Sequence, residues 1–199
     1  MSATQNSNFI NGEWSNNGQA FDSINPSNIN DCLGSFSAAT SDDCNLAIQS
    51  AKNAFQKWSL SSLEERKKIL DFIGSELIAK SPELGEIIAK EEGKPLAEGI
   101  GEVYRSGQFF QYFGAEVLRQ MGEITSSVRA NINVEVTREP LGVIGVITPW
   151  NFPIAVAAWK IAPALAYGNC VVLKPSEIVP ASAVAFAKIM EKSGLPIGV

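Results

Sequence analysis

A long apolar region near the end of this 199-residue chain constrains its fold more than any other feature. "GVIGVIT" at 142–148 is almost continuously apolar, which is typical of a parallel strand buried on both faces. "CVVL" at 170–173 has the same character, and the segment between them, from Pro153 to about Gly168, predicts a helix. Residues 180–192 predict a second helix. The order β-α-β-α is the repeating unit of a doubly wound parallel sheet.

The first part of the chain predicts short hairpins and then a helix. Asn11-Gly12 lies between short apolar pieces in a segment rich in Asn, Ser and Gly, which favours β-hairpins. Apolar residues then recur at helical spacing behind a candidate cap at Ser41 or Asp42. Much further along, Ile and Val alternate with polar residues over 132–137, which predicts a half-exposed antiparallel strand.

Three more helices are predicted between these segments. Ser62 and Glu65 have the spacing of a capping box, in which hydroxyl and carboxylate each bond a free backbone N–H, for a helix running to about Lys80. Ser81-Pro82 suits a new cap and first turn, and Gly93 suits a helix end. Another helix should begin at Pro95. The residues expected to point inward are Ile69, Phe72, Ile73 and Leu77 in the first of these helices and Val103, Phe110, Phe113 and Val117 in the last.

The predicted fold class is therefore α/β: N-terminal helices with an antiparallel strand element, followed by the first half of a doubly wound, Rossmann-like parallel sheet. We divide the chain into a mainly helical part (1–121), a bridging strand segment (122–140) and the partial β-α-β-α unit (141–199). Because two parallel strands are too few for an open sheet, we expect the fold to be incomplete at the C-terminus.

Composition excludes several kinds of function. The formal net charge is −5 and no run of Lys and Arg occurs, so nucleic acid and anionic membranes are not expected partners. The chain has no histidine and three widely spaced cysteines, which excludes a histidine metal site and a Ser-His-Asp triad and predicts no metal. Unpaired cysteines suit a reducing cytoplasm, and no apolar stretch reaches the roughly 20 residues of a membrane span.

Polar residues cluster where the two buried strands end. In open α/β sheets, ligands bind beyond the carboxyl ends of the strands, where helix N-termini offer free N–H groups. The turns at 148–151 and 174–177 follow consecutive strands, so they should share one crevice. From residue chemistry alone, Asn151 could equally stabilise its own turn, and Lys174 with Glu177 could be a solvated ion pair. Val179 occupies the cap position of the second helix, which predicts a loosely held start.

The same region resembles the aldehyde dehydrogenase superfamily. The resemblance rests on "PWNFP" followed by "AWKIAPALAYGNCVVLKPSE", including the spacing from Asn151 to Lys174 and on to Glu177. "FINGEW", "EEGKPLAE" (91–98), "REPLGVIGVITPWNFP" and "SGLPIGV" occur in the same order as in that family. The similarity extends over nearly the whole chain from Phe9 and is greatest to the branches that oxidise semialdehydes.

The resemblance implies oxidation of a small-molecule aldehyde. In that family a cysteine thiolate attacks the aldehyde, hydride passes to NAD(P)+, and a glutamate activates the water that releases the acid. Asn151 matches the amide that donates to the oxyanion. Lys160 matches a lysine assigned to proton relay, although a stem packed on apolar surface with a hydrated head is equally consistent with its position.

The resemblance also implies how a dinucleotide would bind. Lys174, Ser176 and Glu177 match the residues that hold the adenine ribose. Glu177 favours NAD because its carboxylate can accept from both ribose hydroxyls, whereas Lys174 and Ser176 leave NADP possible. Backbone and wall contacts, or simply turn packing, are expected from the preceding strand end and turn: Ile147, Thr148, Pro149 and Trp150.

None of the three cysteines suits the family's nucleophile, so we expect the nucleophile and the general base beyond Val199. The sequence thus predicts the N-terminal portion of a longer enzyme, inactive by itself, whose complete form is a homodimer or homotetramer. Two alternatives stay open: a non-catalytic nucleotide-binding or structural remnant of the same fold, and a relative that transfers the acyl group to CoA.

Overall fold

The computed structural model describes residues 7–119 and 122–199. Two hairpins begin this part of the chain: β1 (Asn8–Ile10) with β2 (Glu13–Ser15), and β3 (Ala20–Ile24) with β4 (Cys32–Ser37). Asn11 and Gly12 form the first turn with φ of 53° and 79°, the left-handed conformation that this dipeptide tolerates. The predicted boundary after residue 121 falls outside the described residues.

Four helices follow, close to their predicted bounds: α1 (Ser41–Trp58), α2 (Leu63–Ala79), α3 (Ser81–Glu92) and α4 (Leu96–Glu116). The cap of α1 is Thr40, not Ser41 or Asp42, because Thr40 and Asp43 form a reciprocal capping box. At α2 only the hydroxyl half of the predicted box forms, with Ser62 Oγ accepting from the Glu65 N–H at 3.1 Å.

The core lies where α4 packs against α2, α3 and α5 (Ala155–Ala166). Close approach is possible because glycines face each other: a Cβ at Gly99 would lie 2.5 Å from the Gly85 carbonyl oxygen. Seven of the eight residues predicted to point inward are buried or half-buried. The exception is Phe72, which is 38% exposed, because the buried stripe of α2 runs through Leu70 and Ile73 instead.

The parallel unit consists of β7 (Val143–Ile147), α5, β8 (Cys170–Lys174) and α6 (Pro180–Lys192). Helix α5 begins at Ala155, two residues after the predicted Pro153. The expectation that β7 is buried on both faces is wrong: of its five residues only Val146 is buried, and Ile147 is 76% exposed. In the described residues the sheet has only two strands, which leaves parts of both faces and the outer edges uncovered.

A hairpin of β5 (Glu123–Ser126) and β6 (Asn133–Val136) precedes the parallel unit. All eight strand residues are exposed, so the predicted half-exposed strand is exposed on both faces. Alternation of Val with polar residues fixes which side chains share a face, but it does not bury them: Val134 is 40% and Val136 is 50% exposed.

The start of α6 is held by a carboxylate from α3. Glu91 is buried and accepts from the N–H groups of Ala181 and Ser182 at 2.7 and 2.8 Å, and from the hydroxyls of Ser23 and Ser182 at 3.0 and 2.7 Å. Burial raises the pKa of Glu91 despite these hydrogen bonds, which favour the carboxylate. The sequence predicted a loosely held start of α6 at Val179. That start is instead capped by Glu91, which lies 90 residues before Ala181.

We expect Glu91→Ala to lower the free energy of unfolding by about 2–4 kcal/mol, because four buried donors lose a charged acceptor. Urea denaturation followed by circular dichroism measures this loss. Glu86→Ala on the same helix is the matched control, since Glu86 forms only an exposed ion pair with Lys90 and such pairs contribute little. Equal losses for the two variants would contradict the role of Glu91 as the cap of α6.

Candidate functional site

The ends of β7 and β8 bring the two polar turns together. The parallel register aligns Ile147 with Lys174, and the N–H of Thr148 donates to the Lys174 carbonyl oxygen at 3.2 Å. Both chains then leave the sheet at the same edge, one toward α5 and the other toward α6. The structure thus gives the predicted turns a common edge.

The predicted site residues differ in how they are presented at this edge. Thr148 and Ser176 are buried. Among the described residues the Thr148 hydroxyl has no hydrogen-bond partner, whereas Ser176 Oγ accepts from the Ile178 N–H at 3.3 Å. The exposed ones are Ile147, Pro149, Trp150, Asn151, Lys174 and Glu177. The edge is therefore a polar and apolar surface open to a ligand.

Lys174 and Glu177 form an exposed ion pair, with Nζ and Oε2 3.0 Å apart. The backbone N–H of Glu177, together with the Lys174 ammonium, lowers the pKa of the Glu177 carboxyl. Glu177 is thus ionised at neutral pH, and the exposed carboxylate can accept further hydrogen bonds.

The helix N-termini beside the turns are not free to bind an anion, contrary to the sequence prediction. Glu102, on α4, accepts from the N–H groups of Ile154 and Ala155 at 3.1 Å each, and its side chain is 1% exposed. Glu91 occupies the same position at α6. The reason is that buried carboxylates already satisfy the first N–H groups and complement the positive end of each helix dipole.

Lys94 lies beneath the first turn and was not predicted as a site residue. Its Nζ donates to Glu102 Oε2 at 2.7 Å and to the Asn151 carbonyl oxygen at 3.0 Å, and lies 3.0 Å from Glu92 Oε2. The ammonium also lies 4.2 Å from the centre of the Phe152 ring. Burial opposes the charged form, but the bonds to Glu102 and Glu92 outweigh it and raise the pKa of Lys94.

Two sequence signals could have pointed to these charged residues. Glu91 and Lys94 lie within "EEGKPLAE", which was singled out only for its resemblance. Glu102 shares the inward stripe of α4 with Val103 and Ser106, and a charged residue on such a stripe calls for a partner.

Lys160 lies exposed on α5. No hydrogen bond or ion pair joins it to Asn151 in the described part of the chain. Its neighbour Trp159 contacts Phe109 edge-on, with ring centroids 5.5 Å apart. The structure therefore brings Asn151, Lys174 and Glu177 to one edge and places Lys160 on the helix behind the first turn.

The described ranges contain neither a cluster of metal-ligating side chains nor a membrane-spanning helix. Within 7–119 and 122–199, no three His, Cys, Asp or Glu side chains are grouped to hold a metal ion. Among the same residues, no helix has the length and hydropathy needed to cross a bilayer.

Comparison with known proteins identifies the class. The model of the aldehyde dehydrogenase family matches residues 14–199, so the chain belongs to that family, as the resemblance predicted. An α-ketoglutarate semialdehyde dehydrogenase from Haloferax volcanii is 39% identical over 194 residues, which cover 96% of this chain and 40% of that protein. An NADP(+) succinate-semialdehyde dehydrogenase from Escherichia coli is 38% identical with the same coverage.

Solved structures agree with this assignment and confirm the α/β fold class. An aldehyde dehydrogenase from Brucella melitensis biovar abortus matches with a TM-score of 0.94 at 32% identity, over 98% of this chain and 41% of that one. An NADP-dependent enzyme from E. coli matches with a TM-score of 0.92 at 38% identity, over 96% and 40%. The chain thus spans about 40% of the length of these relatives.

The three free cysteines should differ sharply in reactivity. Cys32 and Cys44 are exposed, whereas Cys170 is buried at the start of β8 and burial raises its pKa to about 11. With that pKa, about one Cys170 in a thousand is a thiolate at pH 8. We expect Ellman's reagent to label two thiols rapidly and the third only after denaturation. Cys170→Ala should remove only the slow thiol; three fast thiols in the native chain would refute this.

Proposed function

We propose that this chain is the N-terminal part of an NAD(P)-dependent enzyme that oxidises an aldehyde or semialdehyde to the carboxylic acid. The shared edge of the two turns carries the proposal, because Asn151 and the Lys174–Glu177 pair follow the paired strand ends at that edge. The two semialdehyde dehydrogenases that it resembles, at 39% and 38% identity, support the substrate class.

The dinucleotide would lie across the exposed edge. Ionised Glu177 can accept both ribose hydroxyls, Lys174 can donate to the same sugar, and Ser176 orders the turn between them. Ile147, Pro149 and Trp150 offer exposed apolar surface, and Thr148 adds a buried hydroxyl that bonds to no other described residue. Solved relatives include a betaine aldehyde dehydrogenase in complex with NAD+ and a 3,6-anhydro-L-galactose dehydrogenase in complex with NAP.

In this proposal the negative charge of Glu177 sets the preference between NAD and NADP. A 2′-phosphate would meet that carboxylate, so NAD is the favoured cofactor, while Lys174 leaves NADP possible. The bound dinucleotide supplies the hydride acceptor. The phosphates cannot use the first N–H groups of α5 or α6, because Glu102 and Glu91 occupy them.

Asn151 would stabilise the oxyanion formed when a thiolate attacks the aldehyde. A neutral amide donates to developing negative charge without strongly binding the uncharged carbonyl of the ground state. In this proposal Lys160, behind the turn, relays a proton. Cys170 lies at the far end of β8 from Lys174 and remains a thiol, so the attacking thiolate would come from another part of the complete enzyme.

The positions of the cysteines also support a second function. None of the three cysteines lies in the turns at 148–151 and 174–177, which favours a non-catalytic nucleotide-binding or structural remnant of the same fold as the second candidate. The exposed β5–β6 hairpin provides a surface through which the complete protein would form a homodimer or homotetramer. Three free cysteines fit a location in the cytoplasm.

Binding of NADH to the 199-residue chain tests the cofactor site. We expect Glu177→Ala to weaken NADH binding about tenfold and to favour NADPH relative to NADH, because the acceptor for the ribose hydroxyls and the repulsion of the 2′-phosphate are both lost. Titration calorimetry measures the affinities. Glu64→Ala, at another exposed glutamate, is the control; unchanged affinity in Glu177→Ala would remove the proposed ribose site.

Aldehyde oxidation tests the role of Asn151. We expect no NADH production by the 199-residue chain, and activity when it is fused to the remaining part of the E. coli relative. In that fusion Asn151→Ala should lower kcat by about 10²–10³, because one oxyanion donor is lost. Asn53→Ala, on the exposed face of α1, should leave kcat unchanged. A normal kcat for Asn151→Ala would exclude the oxyanion role.

A further inference from the structure

The residues around the short connection between α3 and α4 contact the chain after both strands, at the turn before α5 and at the start of α6. The connection consists of Gly93, with φ of 88°, Lys94 and Pro95, and it follows Glu91 in the last turn of α3. The left-handed glycine turns the chain so that Glu91 points toward α6 while Lys94 points toward the turn of Asn151. The function proposed above gives this connection no role.

The Lys94 ammonium lies among oxygen atoms from three parts of the chain. It donates hydrogen bonds to Glu102 Oε2 at 2.7 Å and to the Asn151 carbonyl oxygen at 3.0 Å, and it forms an ion pair with Glu92 Oε2 at 3.0 Å. Two of its three N–H donors are thus used in hydrogen bonds, and the Glu92 carboxylate adds charge compensation. The side chain is only 8% exposed, and a charge that is removed from water keeps such a position only when its partners remain in place.

Glu102 extends the same contact to the other end of the turn. One of its oxygens accepts from Lys94, and the other accepts from the N–H groups of Ile154 and Ala155. The Lys94–Glu102 pair therefore holds the backbone at 151 through a carbonyl and at 154–155 through two amides. The Phe152 ring, 4.2 Å from the ammonium, is held between these two points.

The side chain of Asn151 is exposed, and its amide makes no hydrogen bond within the described part of the chain. The direction of this amide consequently depends on the backbone at 151. A donor aimed at a developing oxyanion must be preorganised, and small errors in its position reduce its effect.

We propose that Lys94 is a positioning residue for Asn151: its buried ammonium holds the Asn151 carbonyl and thereby fixes the direction in which the amide leaves the turn. This inference rests on the proposed oxyanion role of Asn151 for its meaning in catalysis. The ion pair with Glu102 is what keeps the ammonium in place, and Glu92 adds a second ion pair.

Nuclear magnetic resonance of the unsubstituted chain tests the contact directly. We expect a scalar coupling across the hydrogen bond between Lys94 Nζ and the Asn151 carbonyl carbon, which requires no variant to fold. In Lys94→Met the Asn151 carbonyl resonance should move upfield, and the order parameter of its backbone amide should fall toward about 0.6 from about 0.85. Lys94→Arg keeps the charge and the donors. Its Asn151 carbonyl resonance and amide order parameter should therefore stay closer to those of the unsubstituted chain than in Lys94→Met.

Lys90→Met is the matched control, because Lys90 lies four residues before Lys94, in the last turn of α3, and has an exposed ion pair with Glu86. It should leave the signals of Asn151 unchanged. Absence of the coupling, or identical signals in Lys94→Met and Lys90→Met, would overturn the proposal. These measurements involve neither cofactor nor turnover, so failure of the proposed function would appear separately, in the Glu177→Ala and Asn151→Ala experiments.

Discussion

Two buried carboxylates connect the helical layer of this protein to its parallel β-α-β-α unit. Glu91 and Glu102 are on neighbouring helices, and each accepts the first N–H groups of a different helix in that unit. Burying a carboxylate costs free energy unless it is well hydrogen-bonded. Here the two carboxylates together accept seven hydrogen bonds. The orientation of α5 and α6, and hence of the turns before them, depends on these bonds.

This arrangement has a consequence for ligand binding. In many open α/β sheets the helix N-termini bind phosphate, but here internal carboxylates occupy those positions. At this edge of the sheet the groups available to a ligand are therefore side chains, namely the Asn151 amide and the Lys174–Glu177 ion pair. Recognition of the neutral ribose and stabilisation of a transient oxyanion both suit such groups better than phosphate binding does.

Much of this could be predicted from the sequence, because the signals are local. Gly93, Ser62 and Pro180 mark helix ends through their own backbone preferences; the bounds of α6 were predicted correctly, and β8 extends one residue beyond its predicted end. The adjacency of the two turns also followed, since parallel strands end at one edge. Burial was predicted less well: Phe72, Ile147 and the β5–β6 hairpin are exposed, because periodicity shows which residues share a face but not whether anything covers it.

The sequence by itself therefore determined most of the elements, their order and the family, together with the polar residues of the edge, but not the strand β5. Only the tertiary structure showed what fixes that edge in place. Glu102 contacts Ile154 across 52 residues, Lys94 contacts Asn151 across 57, and Glu91 contacts Ser182 across 91. No local propensity encodes such pairs, because a buried charge takes its partner from whichever elements the packing of α3 and α4 brings within 3 Å.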